Sequence, residues 1–216
     1  MSTRVKICGV TRLQDAELAH ELGAWAVGLI FYERSPRCCS IESAQRISAA
    51  LRRQTPVCGV FVNASLERIT ETADVVGLDL VQLHGDEGPA FCGEVARRTG
   101  AKVIKALPVR VAGDVRDLGR YHVDFHLVDA PAPGLRGGTG TTFDWELLRG
   151  RRSKVPLVLS GGLHAGNVAE AVARVRPYAV DSASGTEAVP GQKDPEKLRA
   201  LFAAVAAASE PAPTAA

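Results

Sequence analysis

Aromatic residues are scarce in this chain: phenylalanine, tryptophan and tyrosine together make up 5% of its 216 residues. So few rings offer no base-stacking platform, and no basic stripe accompanies the formal charge of +2, so nucleic acid is not an expected partner. Long hydrophobic runs are missing too. The N-terminus lacks an apolar signal-peptide core, and no uncharged apolar stretch is long enough to cross a bilayer, which excludes a membrane partner. The five cysteines (Cys8, Cys38, Cys39, Cys58 and Cys92) are odd in number and form no CxxC, and Cys38 and Cys39 are adjacent. Neither a disulfide framework nor a zinc site follows from that pattern, and a reducing cytoplasm suits it.

What remains is the composition of an ordinary globular chain, 46% hydrophobic and 23% charged, of a size for one domain with a substantial core. Short β-branched apolar runs alternate with helical patterns from end to end. Eight strands are predicted: Arg4–Cys8, Ala26–Phe31, Val57–Val62, Leu80–Leu83, Val103–Ala106, Phe125–Asp129, Leu157–Ser160 and Ala179–Ser182. Between them, apolar residues recur three and four apart, as in Ile41-Ala44-Ile47-Leu51 and Val168-Ala171-Val172-Val175. Thr11-x-x-Gln14 reads as a capping box that opens a helix at Thr11, and Ser65 with Glu67 comes close to another. Pro89 suits a first helical turn, and Gly23 and Gly100 sit where helices should stop. The fifth and sixth helices, around Gly113–Arg120 and Asp144–Arg149, look short or irregular.

Strict alternation of strand and helix means a parallel sheet covered by helices. Eight repeats without a second-domain signal favour an α/β fold of one kind: a single-domain (β/α)8 barrel over residues 1–208, followed by a disordered tail over residues 209–216. An open doubly wound sheet is the competitor, but no Gly-x-Gly-x-x-Gly follows the first strand. In a barrel, the strand C-terminal ends and the loops after them share one face, where the chemistry sits. The polar residues assigned to that face are Cys8, Arg37, Asn63, Gln82, His84, Asp129, Ser160-Gly161-Gly162 and the run from Asp181 to Gly185.

Cys8 ends an apolar strand, Gly9 lets the backbone turn, and the sulfur then faces a helix N-terminus whose partial positive charge favours a thiolate. The alternative is a cysteine buried as a small hydrophobe. Asp129 closes the sixth strand beneath a long loop containing Gly137-Gly138-Thr139-Gly140. Partial desolvation there would keep its proton and suit it for proton donation, whereas the competing role is capping its own turn. Together the two form a base and acid pair across a shared mouth. Gly161-Gly162 and Ser184-Gly185 follow the seventh and eighth strands, where barrels often bind phosphate through backbone N–H groups; tight turning alone is the alternative. Arg37 can hold a carboxylate in a two-pronged hydrogen bond, and His84 reads as a hydrogen-bonding positioner. His20, His122, His126 and His164 assemble no plausible metal triad with strand-end carboxylates.

Lys6-Ile7-Cys8-Gly9-Val10-Thr11, Ser35-Pro36-Arg37, Gly59-Val60-Phe61-Val62-Asn63, Val81-Gln82-Leu83-His84-Gly85, Val128-Asp129, Gly137-Gly138-Thr139-Gly140 with Phe143-Asp144-Trp145, Leu159-Ser160-Gly161-Gly162-Leu163 and Val180-Asp181 through Ser184-Gly185 occur in this order. Taken together, to about Leu201, they resemble the phosphoribosylanthranilate isomerases of tryptophan biosynthesis. The resemblance implies a cytoplasmic, cofactor-free barrel enzyme acting on a small phosphosugar, N-(5-phosphoribosyl)anthranilate, in the third step from chorismate to tryptophan. It implies an Amadori rearrangement with Cys8 as general base and Asp129 as general acid. It further implies Arg37 on the anthranilate carboxylate, Gln82, His84 and Asp181 as substrate-binding, and Gly161, Gly162, Ser184 and Gly185 on phosphate. A monomer is expected, with a homodimer as the alternative.

The chain departs from the family pattern at two places. Where the family usually shows Val-Asp-Val-Ser-Ser-Gly, this chain has Val180-Asp181-Ser182-Ala183-Ser184-Gly185, so Ala183 has lost a hydroxyl while the backbone donors survive. Cys38-Cys39 after Arg37 has no functional account. The related histidine-pathway isomerase resembles the same scaffold but carries a carboxylate where Cys8 stands. A non-catalytic phosphosugar-binding barrel would keep the glycine loops and lose the acid or the base.

Overall fold

Short runs of Val, Ile and Leu with a buried face on either side form strands, and here they form eight. They are β1 (Arg4–Cys8), β2 (Ala26–Ile30), β3 (Val57–Phe61), β4 (Leu80–Leu83), β5 (Lys102–Pro108), β6 (Phe125–Asp129), β7 (Leu157–Leu159) and β8 (Ala179–Ser182). The computed structural model describes residues 2–129 and 144–209. In it the eight strands pair in chain order, and β1 pairs in parallel with β8 to close a barrel. All the expected strands are present, with small differences at their ends: β5 runs longer, and β2, β3 and β7 stop one residue sooner.

The closing seam sets Lys6 of β1 opposite Asp181 of β8 and Ile7 opposite Ser182. Alternation along the strands then divides the core in two. Ala26, Cys58, Val60, Leu80, Ile104, Leu127, Val158 and Ala179 belong to one buried cluster, which fills the barrel. Ile7, Val27, Leu29, Val81, Leu83, Val103 and Val128 belong to the other, beneath the helices. At the end of the barrel where the strands begin, Trp25 packs edge-on against Phe125 and Tyr178, with ring centroids 5.0 and 5.4 Å apart. Three of the eleven aromatic residues thus meet on the barrel floor.

The helices follow the apolar stripes. α1 spans Leu13–Glu21. α2 (Ile41–Leu51) buries Ala44, Ile47 and Leu51, and α3 (Leu66–Val76) buries Ile69, Ala73 and Val76. Ser40 and Ser65 cap these two helices by accepting from the backbone N–H three residues on. Pro89 opens α4 (Pro89–Thr99), and Gly100 ends it in the left-handed region. α5 is short (Ala112–Asp117) and tightens into a 3-10 turn over Leu118–Arg120, and Trp145–Gly150 is 3-10 throughout, so the irregular fifth and sixth helices are as expected. After β8 the chain makes a small antiparallel hairpin that the sequence did not announce, β9 (Glu187–Val189) and β10 (Gln192–Lys193). α6 (Val168–Val175) and α7 (Pro195–Ser209) complete the outer layer. Ser209 thus ends the last helix, and the rest of the expected tail, residues 210–216, lies outside the described residues.

The first helix departs from expectation. It opens at Leu13 with Arg12 as its N-cap residue, and no side chain caps it. The Thr11 hydroxyl is engaged elsewhere, donating to the Gly191 carbonyl at 2.6 Å in the β9–β10 turn. Asp15, only 4% exposed, sits in the first turn instead, accepting from the Arg12 guanidinium and from the Lys193 backbone N–H. A partner distant in sequence has outcompeted the local cap.

Truncation of the fully buried Ile69 to alanine tests the helix–sheet layer apart from the site. Ile69→Ala is expected to cost about 2–5 kcal/mol in urea unfolding while leaving ligand affinity unchanged.

Candidate active site

Cys8, at the end of β1, is 6% exposed. The next residue, Gly9, has φ +73°, and a Cβ there would lie 2.7 Å from Arg37 Cδ. The turn needs glycine both for its conformation and for the approach of the arginine. The helix-dipole account of Cys8 is not what the structure shows. Burial pushes the thiol up from its ordinary value, and the charges opposing that are the ammonium groups of Lys6 and Lys193, with Asp181 acting alongside burial. The helix that was to supply the positive potential begins farther along the chain, at Leu13.

Lys6 is fully buried inside the barrel, and its Nζ donates to Asp181 Oδ1 at 2.8 Å. Burial works against its charge, but Asp181, Cys8 and Cys58 outweigh that and raise its proton affinity. Asp181, expected to bind substrate, therefore has one carboxylate oxygen committed to this lysine. Beyond β8 lies a second cluster. Glu187, 6% exposed, accepts from Arg37 Nε and Nη2 at 2.8 Å each and from Lys193 Nζ at 3.3 Å. Lys193 also donates to the Ala183 carbonyl at 2.9 Å. Two nitrogens of Arg37 are thus held by Glu187 in a two-pronged contact.

Across the mouth, Gln82 is buried on β4, with its Nε2 2.8 Å from His84 Nδ1. His84 Nε2 lies 3.3 Å from Asp129 Oδ2 at the end of β6. With the Gln82 amide as donor, Nδ1 accepts and the ring N–H faces the aspartate from Nε2. The three residues named separately in the sequence are one chain of contacts. Asn63, in contrast, is tied into loop structure: its side chain exchanges hydrogen bonds with Asp86, and its N–H donates to Glu87.

Gly161 and Gly162 have φ +96° and +62°, conformations that suit glycine and turn the loop after β7 sharply. Gly185 packs against that loop so closely that a Cβ would lie 2.1 Å from the Leu163 carbonyl oxygen. Ser182 Oγ donates to the same carbonyl at 2.7 Å. The loops after β7 and β8 therefore lie side by side, as the phosphate reading requires, and Ser184 opens a single 3-10 turn there. Gly137-Gly138-Thr139-Gly140 and Phe143 lie outside the described residues. Among the described residues, no three His, Cys, Asp or Glu side chains gather as a metal site.

Sequence reasoning left out five charged residues: Lys6, Glu187, Lys193, Glu87 and Lys105, the last of which donates from Nζ to Glu87 Oε2 at 2.8 Å. A signal existed for two of them. Lys6 and Lys105 each interrupt an apolar strand, and a lone charge within a buried run announces a buried partner.

Glu187 supplies a pH test. Although burial raises its proton affinity, Arg37, Lys193 and the Gly191 N–H together bring its carboxyl below the ordinary 4.5. The unfolded chain therefore binds this proton more readily, so the stabilisation is complete above the ordinary value and lost as pH falls through the lower folded one. Glu187→Gln should be less stable than the parent at neutral pH in urea unfolding, with the gap narrowing as pH falls below the ordinary carboxylate value. A gap independent of pH would contradict this.

Comparison with known proteins agrees with the geometry. The family model described as N-(5'-phosphoribosyl)anthranilate (PRA) isomerase matches residues 5–204. A curated N-(5'-phosphoribosyl)anthranilate isomerase from Citrifermentans bemidjiense is 51% identical over 201 residues, 93% of this chain and 96% of its own length. The crystal structure of phosphoribosyl anthranilate isomerase from Thermus thermophilus superposes with a TM-score of 0.87 at 37% identity, covering 95% of this chain and 99% of that one. Another, a phosphoribosyl anthranilate isomerase in complex with reduced 1-(o-carboxyphenylamino)-1-deoxyribulose 5-phosphate, has a TM-score of 0.82 at 40% identity, with coverage of 95% and 99%. With a closed eight-stranded barrel, one polar rim and likeness along nearly its whole length, this chain belongs to the N-(5'-phosphoribosyl)anthranilate isomerase family.

Proposed function

We propose that this chain carries out the Amadori rearrangement of N-(5'-phosphoribosyl)anthranilate to 1-(o-carboxyphenylamino)-1-deoxyribulose 5-phosphate, by general acid and base catalysis without a cofactor. The observation that carries the reading is the common rim. Cys8 and Asp129 end strands of one parallel barrel, with Arg37 and the paired glycine loops beside them. A relative's complex with the reduced form of that product supports the choice of substrate.

Asp129, protonated, gives its proton to the furanose ring oxygen. The bond from that oxygen to C1′ breaks, and the anthranilate nitrogen lone pair forms a protonated Schiff base. The Cys8 thiolate then removes the C2′ proton, and the freed electron pair makes the enolamine, which tautomerises to the ketone. One proton has been given and one taken, and each well-placed transfer is worth about a hundred- to ten-thousand-fold in rate. His84, held by Gln82, orients the Asp129 carboxyl toward the ring oxygen. Arg37, preset by Glu187, takes the anthranilate carboxylate. Backbone N–H groups around Gly161-Gly162 and Ser184-Gly185 take the phosphate, so the hydroxyl missing at Ala183 is not needed for charge neutralisation. The same chemistry places the chain in tryptophan biosynthesis, in keeping with its family.

The test is the fluorescence decay of freshly generated phosphoribosylanthranilate. Cys8→Ala and Asp129→Asn should each lower kcat by about a hundredfold or more with little change in KM, since both act mainly in the transition state. Full turnover in either variant would overturn the scheme. Arg37→Ala should instead raise KM about tenfold or more, because it removes a contact made before and during reaction alike.

A further inference from the structure

We propose that Lys6, held by Asp181 across the closing seam of the barrel, is the counter-ion of the Cys8 thiolate and thereby positions the base of the reaction. The inference rests on the reading of Cys8 as that base, and its test keeps the two apart.

The geometry is specific. Lys6 and Cys8 alternate onto the same side of β1, and opposite them on β2 stands Gly28, paired in register with Cys8. A Cβ on Gly28 would lie 2.9 Å from Cys8 Sγ and 3.2 Å from Lys6 Nζ. The sulfur and the ammonium therefore share the space that a missing side chain leaves. Lys6 is 0% exposed and Asp181 4%, so little solvent screens them.

A buried ion pair is an expensive way to fill a barrel. Apolar residues of similar volume usually serve as well or better for stability, so this pair calls for another reason. The neighbouring sulfur provides one. Burial opposes a thiolate, and the charge that would offset this must itself be buried and kept protonated. Asp181 does that for Lys6, so the ammonium remains charged while the thiol loses its proton to solvent. The other groups facing Cys8 are also accounted for. Lys193 on β10 adds positive potential but is shared with Glu187, behind which stands Arg37. Cys58 on β3 faces Lys6, and Gly28 on β2 contributes no side chain.

The readout is thiolate ultraviolet absorbance against pH, taken as the difference between each protein and its Cys8→Ala counterpart so that only this sulfur is followed. Lys6→Met should move the Cys8 midpoint upward by about one to three pH units, since an opposite charge close by has that effect. Lys6→Met combined with Asp181→Asn leaves no lone buried carboxylate and should move it in the same direction, while Lys6→Arg, which keeps the charge, should hold it near the parent value. The low-pH limb of kcat/KM should follow the same shifts. Should the midpoint stay unmoved in a variant that still shows cooperative thermal unfolding, Lys6 merely fills the barrel and the proposal falls. Should the midpoint move while the kcat/KM limb does not, the counter-ion role stands and the assignment of Cys8 as base falls.

Discussion

The seam between β1 and β8 is the constraint on which the rest of the molecule depends. Eight parallel strands become a barrel only if the first finds the last, across most of the chain's length, and in the right register. Lys6 opposite Asp181 marks that register with charge. A slip of one residue would turn one strand over against the other, so that Lys6 and Asp181 lay on opposite faces of the sheet and neither charge was paired, a penalty far larger than the loss of any single apolar contact. Once the seam is closed, the ends of β1, β4, β6 and β8 share one rim, and residues from separate parts of the chain come to face the same space.

Among the described residues, buried charge around that rim stands in clusters. Arg37, Glu187 and Lys193 form one cluster, Lys6 and Asp181 a second, and Glu87 and Lys105 a third. The first and the third also reach into the backbone of a rim loop. Lys193 holds the Ala183 carbonyl, and Lys105 holds those of Leu83 and Gly85. Loops built on such clusters are rigid without being apolar. That suits the proposed function, in which N–H groups and charge would meet a polar ligand without reorganising around it.

The fold was legible because its code is local. Runs such as Val81-Gln82-Leu83 and Val128-Asp129 declare strands through β-branched residues and length, and Ser40, Ser65, Pro89 and Gly100 punctuate helices by mechanisms confined to a few residues. The positions of Cys8, Arg37, Gln82, His84, Asp129 and the glycine pairs followed from strand ends alone. Their electrostatics did not. Whether Thr11 caps its own helix depends on Gly191, and what faces Cys8 depends on residues of β8 and β10, all settled by partners far off in sequence. Local rules locate a side chain on the rim, but its charge environment is fixed only when the barrel closes.

The loop after β8 shows how far such a long-range effect can reach into a single motif. Ala183 lacks the hydroxyl that the family usually places there, and its neighbour Ser182 carries one where the family usually has valine. That hydroxyl cannot replace the missing one. Ser182 is 2% exposed, and its Oγ donates to the Leu163 carbonyl in the neighbouring loop, so its proton is already committed. What it does instead is fix the spacing of the two loops, at the same oxygen that leaves no room for a side chain on Gly185. A loop pair stapled in this way holds its backbone donors in place whether or not a side-chain hydroxyl joins them. On the proposed reading, the exchange of Val-Ser for Ser182-Ala183 trades a side-chain contact to phosphate for a contact between the two loops.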